Sequence, residues 1–111
     1  MTILLAEDNE DLREAFTSTL ENMGHKVIAC VDGEQALEEF QCNQVDIIIT
    51  DYEMPKSNGF AFALGVRQFN QNIPIFVCSG RSVEELNVIF REVKVQGIFE
   101  KVAFRNLVEG L

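Results

Sequence analysis

Short apolar runs alternate along this chain with longer segments of helical periodicity. The apolar runs predict five β-strands, which are Ile3–Ala6, Val27–Cys30, Val45–Thr50, Ile73–Cys78 and Val95–Phe99. The third run contains the consecutive β-branched residues Ile47, Ile48 and Ile49. An unbroken apolar run of this kind is typical of a strand whose two faces are both covered.

The segments between these runs repeat apolar residues every three or four positions, which predicts five helices. Gly24 follows the first segment as a stop signal, and Ser82 with Glu85 three residues later predicts a capping box for the fourth. The apolar stripes are Leu12, Phe16, Leu20 and Met23; Ala36, Leu37 and Phe40; the apolar residues of 60–69; Val83, Leu86, Phe90 and Val93; and Phe104, Leu107, Val108 and Leu111.

Alternation of strands with helices predicts an α/β fold, with a doubly wound parallel sheet and right-handed crossovers. The length of 111 residues fits one domain over 1–111. Only ten residues follow Lys101, so we expect a short or truncated fifth helix. Ligands of such sheets bind beyond the carboxyl ends of the strands, which makes the residues there the candidate site.

The charge and the cysteines exclude several classes of function. A formal charge of −9 disfavours binding to nucleic acid or to an anionic membrane surface. The sequence has no signal-peptide pattern and no apolar run long enough to span a bilayer. Three cysteines without a C-x-x-C pair, and one histidine, argue against a zinc site. We therefore expect a reduced, cytoplasmic chain with small buried thiols.

Polar residues stand at the ends of four predicted strands. They are Glu7 and Asp8 after the first, Asp51 after the third, Ser79 after the fourth and Lys101 near the fifth. Three carboxylates at close quarters repel each other unless a counter-charge is present. A hard divalent cation, Mg²⁺ or Mn²⁺, supplies that charge through oxygen ligands. The lysine and the serine are suited to contact phosphoryl oxygens.

Four segments at the strand ends carry a specific combination of residues. They read Leu5-Ala6-Glu7-Asp8-Asn9, then Asp51-Tyr52-Glu53-Met54-Pro55-Lys56-Ser57-Asn58-Gly59, then Ser79-Gly80, and finally Lys101. Together they resemble the receiver domain of two-component response regulators, and the resemblance extends from Ile3 to about Val108. It implies a flavodoxin-like (βα)5 fold with strand order 2-1-3-4-5. It also implies a phosphorelay signalling switch, not a turnover enzyme, that assists its own phosphorylation and dephosphorylation.

Carried over by position, the resemblance implies that Asp51 is the phosphoacceptor and becomes an aspartyl phosphate. It implies that Ser79 and Lys101 bind the phosphoryl group. The implied Mg²⁺ ligands are Asp8 directly, Glu7 through water, Asp51, and the backbone carbonyl of Glu53. The implied donor is a sensor histidine kinase or a histidine phosphotransfer protein, and the output is an unknown downstream protein. A homodimer, a stand-alone chemotaxis-regulator-like protein and one domain of a longer chain all remain open.

Two positions near Lys101 depart from the family pattern. Val102 stands where the family usually has a proline after a cis peptide bond. Because a cis bond before a non-proline residue costs about 3–4 kcal/mol, we predict a trans bond. Ile98 stands where the family carries an aromatic residue that rotates inward on activation. We expect Ile98 to be half-buried packing, with Phe99 pointing to the opposite face of the sheet.

Glu53 and Arg81 lie two residues after Asp51 and Ser79, at positions that flank the site in the family. We hypothesise an ion pair between them across the mouth of the site, which restricts attacking water. The alternative is that both charges are separately solvated.

Three other functions are alternatives to that of a phosphoacceptor. A degenerate receiver, used as a binding platform without phosphorylation, is compatible with Val102 and Ile98, but Asp51, Asp8 and Lys101 are all present. A phosphatase of the haloacid dehalogenase type usually has a second aspartate two residues after the nucleophile, where this chain has Glu53. A flavodoxin is disfavoured because the acidic segment 7–11 would repel the flavin phosphate.

Overall fold

In the computed structural model, which describes residues 1–111, each predicted apolar run forms a strand. The strands are β1 (Thr2–Ala6), β2 (Lys26–Cys30), β3 (Ile47–Thr50), β4 (Ile75–Ser79) and β5 (Gly97–Glu100). The last three begin two residues later than predicted. Val45, Ile73 and Val95, which open the predicted runs, pack against the core from the preceding loops. Because these three packing residues are apolar, the predicted runs began before the hydrogen-bonded part of each strand.

Five α-helices connect and follow the strands. They are α1 (Glu10–Asn22), α2 (Gly33–Cys42), α3 (Gly59–Phe69), α4 (Val83–Ile89) and α5 (Phe104–Glu109), with a 3-10 turn at Lys101–Ala103. Gly24, with φ of 92°, follows the end of α1 as predicted. The fourth helix ends before Phe90 and Val93, which the periodicity had placed within it; both are buried in the turn that follows. None of the helices has the length and apolar character needed to cross a bilayer.

Side-chain caps fix where the first four helices begin. Asn9, Asp32, Asn58 and Ser82 each accept a hydrogen bond from the backbone N–H three residues later, at 2.7–3.1 Å. The Ser82 cap predicted from sequence is therefore confirmed. The Ser82 hydroxyl donates a hydrogen bond to the Glu85 carboxylate at 3.3 Å. In a full capping box that carboxylate would instead accept from the backbone N–H of the serine.

The five strands form one parallel sheet in the order β2-β1-β3-β4-β5, which confirms the predicted fold class and strand order. Leu4 of β1 pairs with Ile48 of β3, which in turn pairs with Ile75 of β4. The direction in which strands are added reverses between β1 and β3, because β2 lies on the outer side of β1 and β4 lies on the outer side of β3. This is the switch point at which doubly wound sheets bind ligands, and it places the ends of β1 and β3 side by side.

Successive residues of each strand enter two separate cores. Leu4 and Ile48 pack with α2, α3 and α4 on one face of the sheet. Leu5 and Ile49 pack with α1 and α5 on the other, where the rings of Phe16 and Phe104 stack at 3.8 Å between centroids. The partly buried residues of β5 follow the same alternation: Ile98 packs on the first core and Phe99 on the second. The predicted half-buried position of Ile98 is thus confirmed.

All three cysteines are free thiols, but they differ in exposure. Cys30 and Cys78 are buried as predicted, and loss of hydration raises the pKa of each thiol to about 12. The prediction of a buried thiol was wrong for Cys42, the last residue of α2, which is exposed to solvent.

A thiol reagent is expected to label one cysteine rapidly in the native protein and all three after unfolding. Only a thiolate reacts quickly, and Cys42 is the one cysteine that is exposed to solvent. The measurement is labelling stoichiometry against time, with and without denaturant. The Cys42→Ser variant is the control and loses the rapid phase. Rapid native labelling of Cys30 or Cys78 would contradict the burial described above.

Candidate functional site

The ends of β1 and β3 bring three carboxylates together. The backbone N–H of Asp51 donates to the carbonyl of Ala6 at 2.9 Å, so the two strand ends are fixed to each other. Glu7, Asp8 and Asp51 each offer one carboxylate oxygen, and these three oxygens lie within 4.8 Å of one another. Glu7 and Asp51 are buried and Asp8 is exposed, so the cluster opens to solvent on one side.

Lys101 supplies positive charge to the two buried carboxylates. Its Nζ lies 2.8 Å from Oδ2 of Asp51 and 3.0 Å from Oε1 of Glu7. Burial by itself would lower the pKa of Lys101, but hydrogen bonds to Asp51 and Glu7 outweigh it and the pKa is raised. The lysine is therefore a permanent cation at the base of the site.

The cluster holds more negative charge than Lys101 balances. Burial is the largest cause that raises the pKa of Glu7, and the charge of Asp51 raises it further. Hydrogen bonds from Lys101 and from the Asn9 N–H lower it, but the net pKa is raised. The cluster contains three carboxylates but one ammonium group, and that group contacts only Glu7 and Asp51. Oxygen donors at this spacing, with a net negative charge, fit a hard divalent cation such as Mg²⁺.

The carboxylates form part of an open cleft of about 350 Å³ with no apolar side chain in its wall. Its lining residues are Asp8, Asn9, Asp51, Glu53, Ser79, Gly80, Arg81 and Lys101. The structure therefore brings four of the five predicted strand-end residues to one cavity, and Glu7 lies beneath it in contact with Lys101. Ser79 is buried, and its Oγ accepts a hydrogen bond from the Arg81 N–H at 3.3 Å.

Close backbone contacts hold the loop between β3 and α3, which carries Glu53. A side chain at Gly59 would collide with the carbonyl oxygen of Asp51, and the Gly59 N–H donates to Tyr52 at 2.7 Å. A side chain at Gly33, the first residue of α2, would collide with the carbonyl of Ser57. Sequence reasoning missed Gly33, because its role depends on how closely α2 approaches this loop.

The hypothesised pair between Glu53 and Arg81 is present at the rim of the cleft. Arg81 donates from Nε to Oε1 of Glu53, and this hydrogen bond raises the pKa of the guanidinium. Arg81 has two partners that sequence reasoning missed. Its Nη1 lies 3.3 Å from Oε2 of Glu85, and its guanidinium carbon lies 5.3 Å from the centroid of the Tyr52 ring. The i,i+4 spacing of Arg81 and Glu85 was the available signal.

The segment after Lys101 takes the path predicted for a chain without proline. No peptide bond is cis, so the prediction of a trans bond before Val102 is confirmed. Residues Lys101–Ala103 instead form a 3-10 turn that leaves the Val102 side chain 92% exposed. The loop is rearranged while Lys101 still contacts Asp51.

Comparison with known proteins identifies relatives of this chain. A sequence profile described as the response regulator receiver domain matches residues 3–110. The autoinducer 1 sensor kinase/phosphatase LuxN of Vibrio campbellii is 35% identical over 89 residues, which are 79% of this chain and 10% of LuxN. The response regulator RR06 of Streptococcus pneumoniae is 35% identical over 79 residues, which are 71% of this chain and 36% of RR06.

A solved structure shares the fold over nearly the whole chain. The chemotaxis protein CheY4 of Vibrio cholerae superposes with a TM-score of 0.90 and 27% identity, covering 98% of this chain and 93% of that protein. The chain spans only about a third of RR06 and a tenth of LuxN. The similarity to those two proteins therefore concerns one segment of each.

Proposed function

This chain belongs to the response regulator receiver domain family, and from that membership we propose that Asp51 accepts a phosphoryl group from a phosphohistidine donor. One observation carries the proposal. Asp51 lines a cleft with no apolar side chain in its wall, with Lys101 on one of its oxygens and two further carboxylates within reach. A nucleophile, a fixed cation and a candidate cation site are thus in one place.

In the proposed reaction an oxygen of Asp51 attacks phosphorus, and the P–N bond of the phosphohistidine breaks. The electron pair of that bond stays with the departing imidazole, and Asp51 becomes an acyl phosphate. Lys101, whose Nζ lies 2.8 Å from Oδ2, would pair with the transferred oxygens as their charge develops. The Ser79 hydroxyl, which lines the same cleft at the end of β4, would donate to another of them. Transfer of this kind depends on positioning and charge stabilisation.

The proposed cofactor is Mg²⁺ or Mn²⁺. Asp8 and Asp51 would hold it directly, Glu7 through water, and Glu53 through its backbone carbonyl. When bound, the ion supplies the positive charge that the phosphoryl oxygens require beyond that of Lys101. Its support on this chain is the excess of carboxylates over cations and their spacing within 4.8 Å.

The Asp8→Asn variant is expected to bind Mg²⁺ at least about 10- to 100-fold more weakly, because it loses an anionic ligand. Tyr52 provides the readout, since it is the only tyrosine, tryptophan is absent, and it is adjacent to Asp51. Fluorescence titration with Mg²⁺ measures the affinity. Asp11→Asn removes the same charge from an exposed position in the first turn of α1 and is the matched control. Equal affinities in the two variants would exclude Asp8 as a ligand.

The Glu53→Gln variant is expected to lose its phosphoryl group about two- to fivefold faster, the size expected when a weak exposed ion pair is lost. Without that pair, Arg81 no longer crosses the rim of the cleft and water gains access. The measurement is decay of the phosphorylated chain after the donor is removed, with Glu84→Gln as the control. An unchanged decay rate would mean that the pair does not restrict water.

Intact-mass measurement after incubation with acetyl phosphate and Mg²⁺ tests the proposal. The expected result is a gain of one phosphoryl group, lost when the metal is chelated. Beryllofluoride, a mimic of the phosphoryl group, is the second arm, with Tyr52 fluorescence as readout. No mass gain together with no response to beryllofluoride would contradict the proposal and favour a binding platform of the same fold.

We propose a sensor histidine kinase or a histidine phosphotransfer protein as donor, and protein–protein contact as output. RR06 and LuxN, a response regulator and a sensor kinase by name, support this choice. The charge of −9 supports a protein partner over nucleic acid. Three free thiols support the cytoplasm as the compartment. Residues 1–111 would act as one receiver domain.

A further inference from the structure

The fourth helix is held in place by few contacts. It spans seven residues, Val83–Ile89, and Leu86 is the only one that is fully buried. A helix of this length is not stable by itself in water, so its position depends on tertiary contacts. Segments with few buried apolar contacts open at a lower free energy than the rest of a fold.

Arg81 connects the cleft to both ends of this helix. It lies one residue before the Ser82 cap, and its Nη1 contacts Glu85 in the first turn at 3.3 Å. Its guanidinium also lies over Tyr52, whose ring meets Phe90 at the C-terminal cap edge-on at 6.1 Å between centroids. The same side chain lines the cleft that contains Asp51.

We propose that phosphorylation of Asp51 draws Nη1 of Arg81 from Glu85 to the phosphoryl oxygens and thereby loosens the first turn of α4. The inference rests on the proposed phosphorylation of Asp51 and adds the route by which it reaches the protein surface. Nε of Arg81 keeps its contact with Glu53, so the rim of the cleft stays covered.

The competition favours the phosphoryl group for a physical reason. The contact between Arg81 and Glu85 joins side chains that are 42% and 58% exposed, and ion pairs in such positions are weak. A phosphoryl group carries more charge and three acceptor oxygens, and guanidinium groups bind it strongly.

Hydrogen exchange of the backbone amides in Val83–Ile89 tests the proposal, measured with and without saturating beryllofluoride and Mg²⁺. In the wild-type chain beryllofluoride is expected to raise exchange in the first turn. In the Arg81→Gln and Glu85→Gln variants, amide exchange in the first turn is expected to be high before beryllofluoride is added, and beryllofluoride is expected to cause no further rise. Glu84→Gln removes a neighbouring exposed charge that makes no ion pair and is expected to respond like the wild type.

A rise in Arg81→Gln as large as that in the wild type would overturn the proposal. The proposal would also be overturned if Tyr52 fluorescence showed that beryllofluoride is bound to the wild-type chain while amide exchange in α4 stayed unchanged. Failure of the wild type to bind beryllofluoride or to gain a phosphoryl group would instead contradict the proposed function, and the relay with it. The two failures are therefore distinguished by the binding readout.

Discussion

The Asp51→Asn variant is expected to gain no phosphoryl group from acetyl phosphate under conditions in which the wild-type chain becomes phosphorylated. The amide oxygen of asparagine is a much weaker nucleophile than a carboxylate oxygen, and no other residue is expected to replace Asp51 as the acceptor. Glu7 is buried under Lys101, and Asp8 is exposed without a lysine contact in the structure. The measurement is intact mass of both proteins over the same incubation.

The loss is expected to be chemical and not a failure to fold. Asparagine has nearly the shape of aspartate, and Lys101 keeps Glu7 as its partner at 3.0 Å. The substitution also removes the Asp51 charge, which is one of the causes that raise the Glu7 pKa. The thermal midpoint of unfolding is therefore expected at or above the wild-type value. A variant that still gains one phosphoryl group would show that another residue is the acceptor.

The Lys101→Met variant is expected to become phosphorylated about 10²- to 10³-fold more slowly, the effect seen when one preorganised charge donor is removed from an active site. Methionine keeps the length of the side chain but offers no donor to the transferred oxygens. Initial rates with acetyl phosphate, at saturating Mg²⁺, measure the effect. Lys101→Arg retains the charge and is expected to recover part of the rate. A rate equal to wild type would remove Lys101 from the mechanism.

The same variant is expected to lose stability of about 1–3 kcal/mol near neutral pH, because two buried carboxylates lose their cation. The deficit should shrink as pH falls. The folded chain already holds the Glu7 pKa above its ordinary value of 4.5, and loss of Lys101 removes a cause that lowers it. Between pH 4.5 and that raised pKa, Glu7 is mostly protonated in the folded variant and mostly ionised in the unfolded chain. The folded state therefore binds more protons, and lowering the pH through this range stabilises the variant. Denaturant unfolding across this pH range provides the test.

The sheet and most of the site were predictable because both depend on short patterns along the chain. The isoleucines from Ile47 to Ile49 indicated a strand covered on both faces, and their position is buried at the centre of the sheet. Once the strands are parallel, chain order alone brings Asp8 and Asp51 to the same edge. Lys101 reaches that edge even though the turn after it differs from the family pattern.

Features that depend on side-chain direction or on close approach of distant segments were not predictable. The apolar spacing of α4 continued through Phe90 and Val93 because both are buried, although the helix ends at Ile89. Cys42 was expected to be a buried thiol like the other two cysteines, yet it faces solvent at the end of its helix. The contact of Arg81 with Tyr52 depends on the path of two loops that no local pattern specifies.

Direct location of the phosphoryl group tests the role of Asp51 most sharply. Borohydride reduces an acyl phosphate to an alcohol, which converts a phosphorylated aspartate to homoserine, whereas a free carboxylate is unaffected. Peptide sequencing by mass spectrometry after treatment with acetyl phosphate, Mg²⁺ and borohydride is expected to find homoserine at position 51 only. Omission of Mg²⁺ is expected to leave that position unmodified. Homoserine at another carboxylate, or a phosphorylated chain in which position 51 remains aspartate after reduction, would contradict Asp51 as the acceptor.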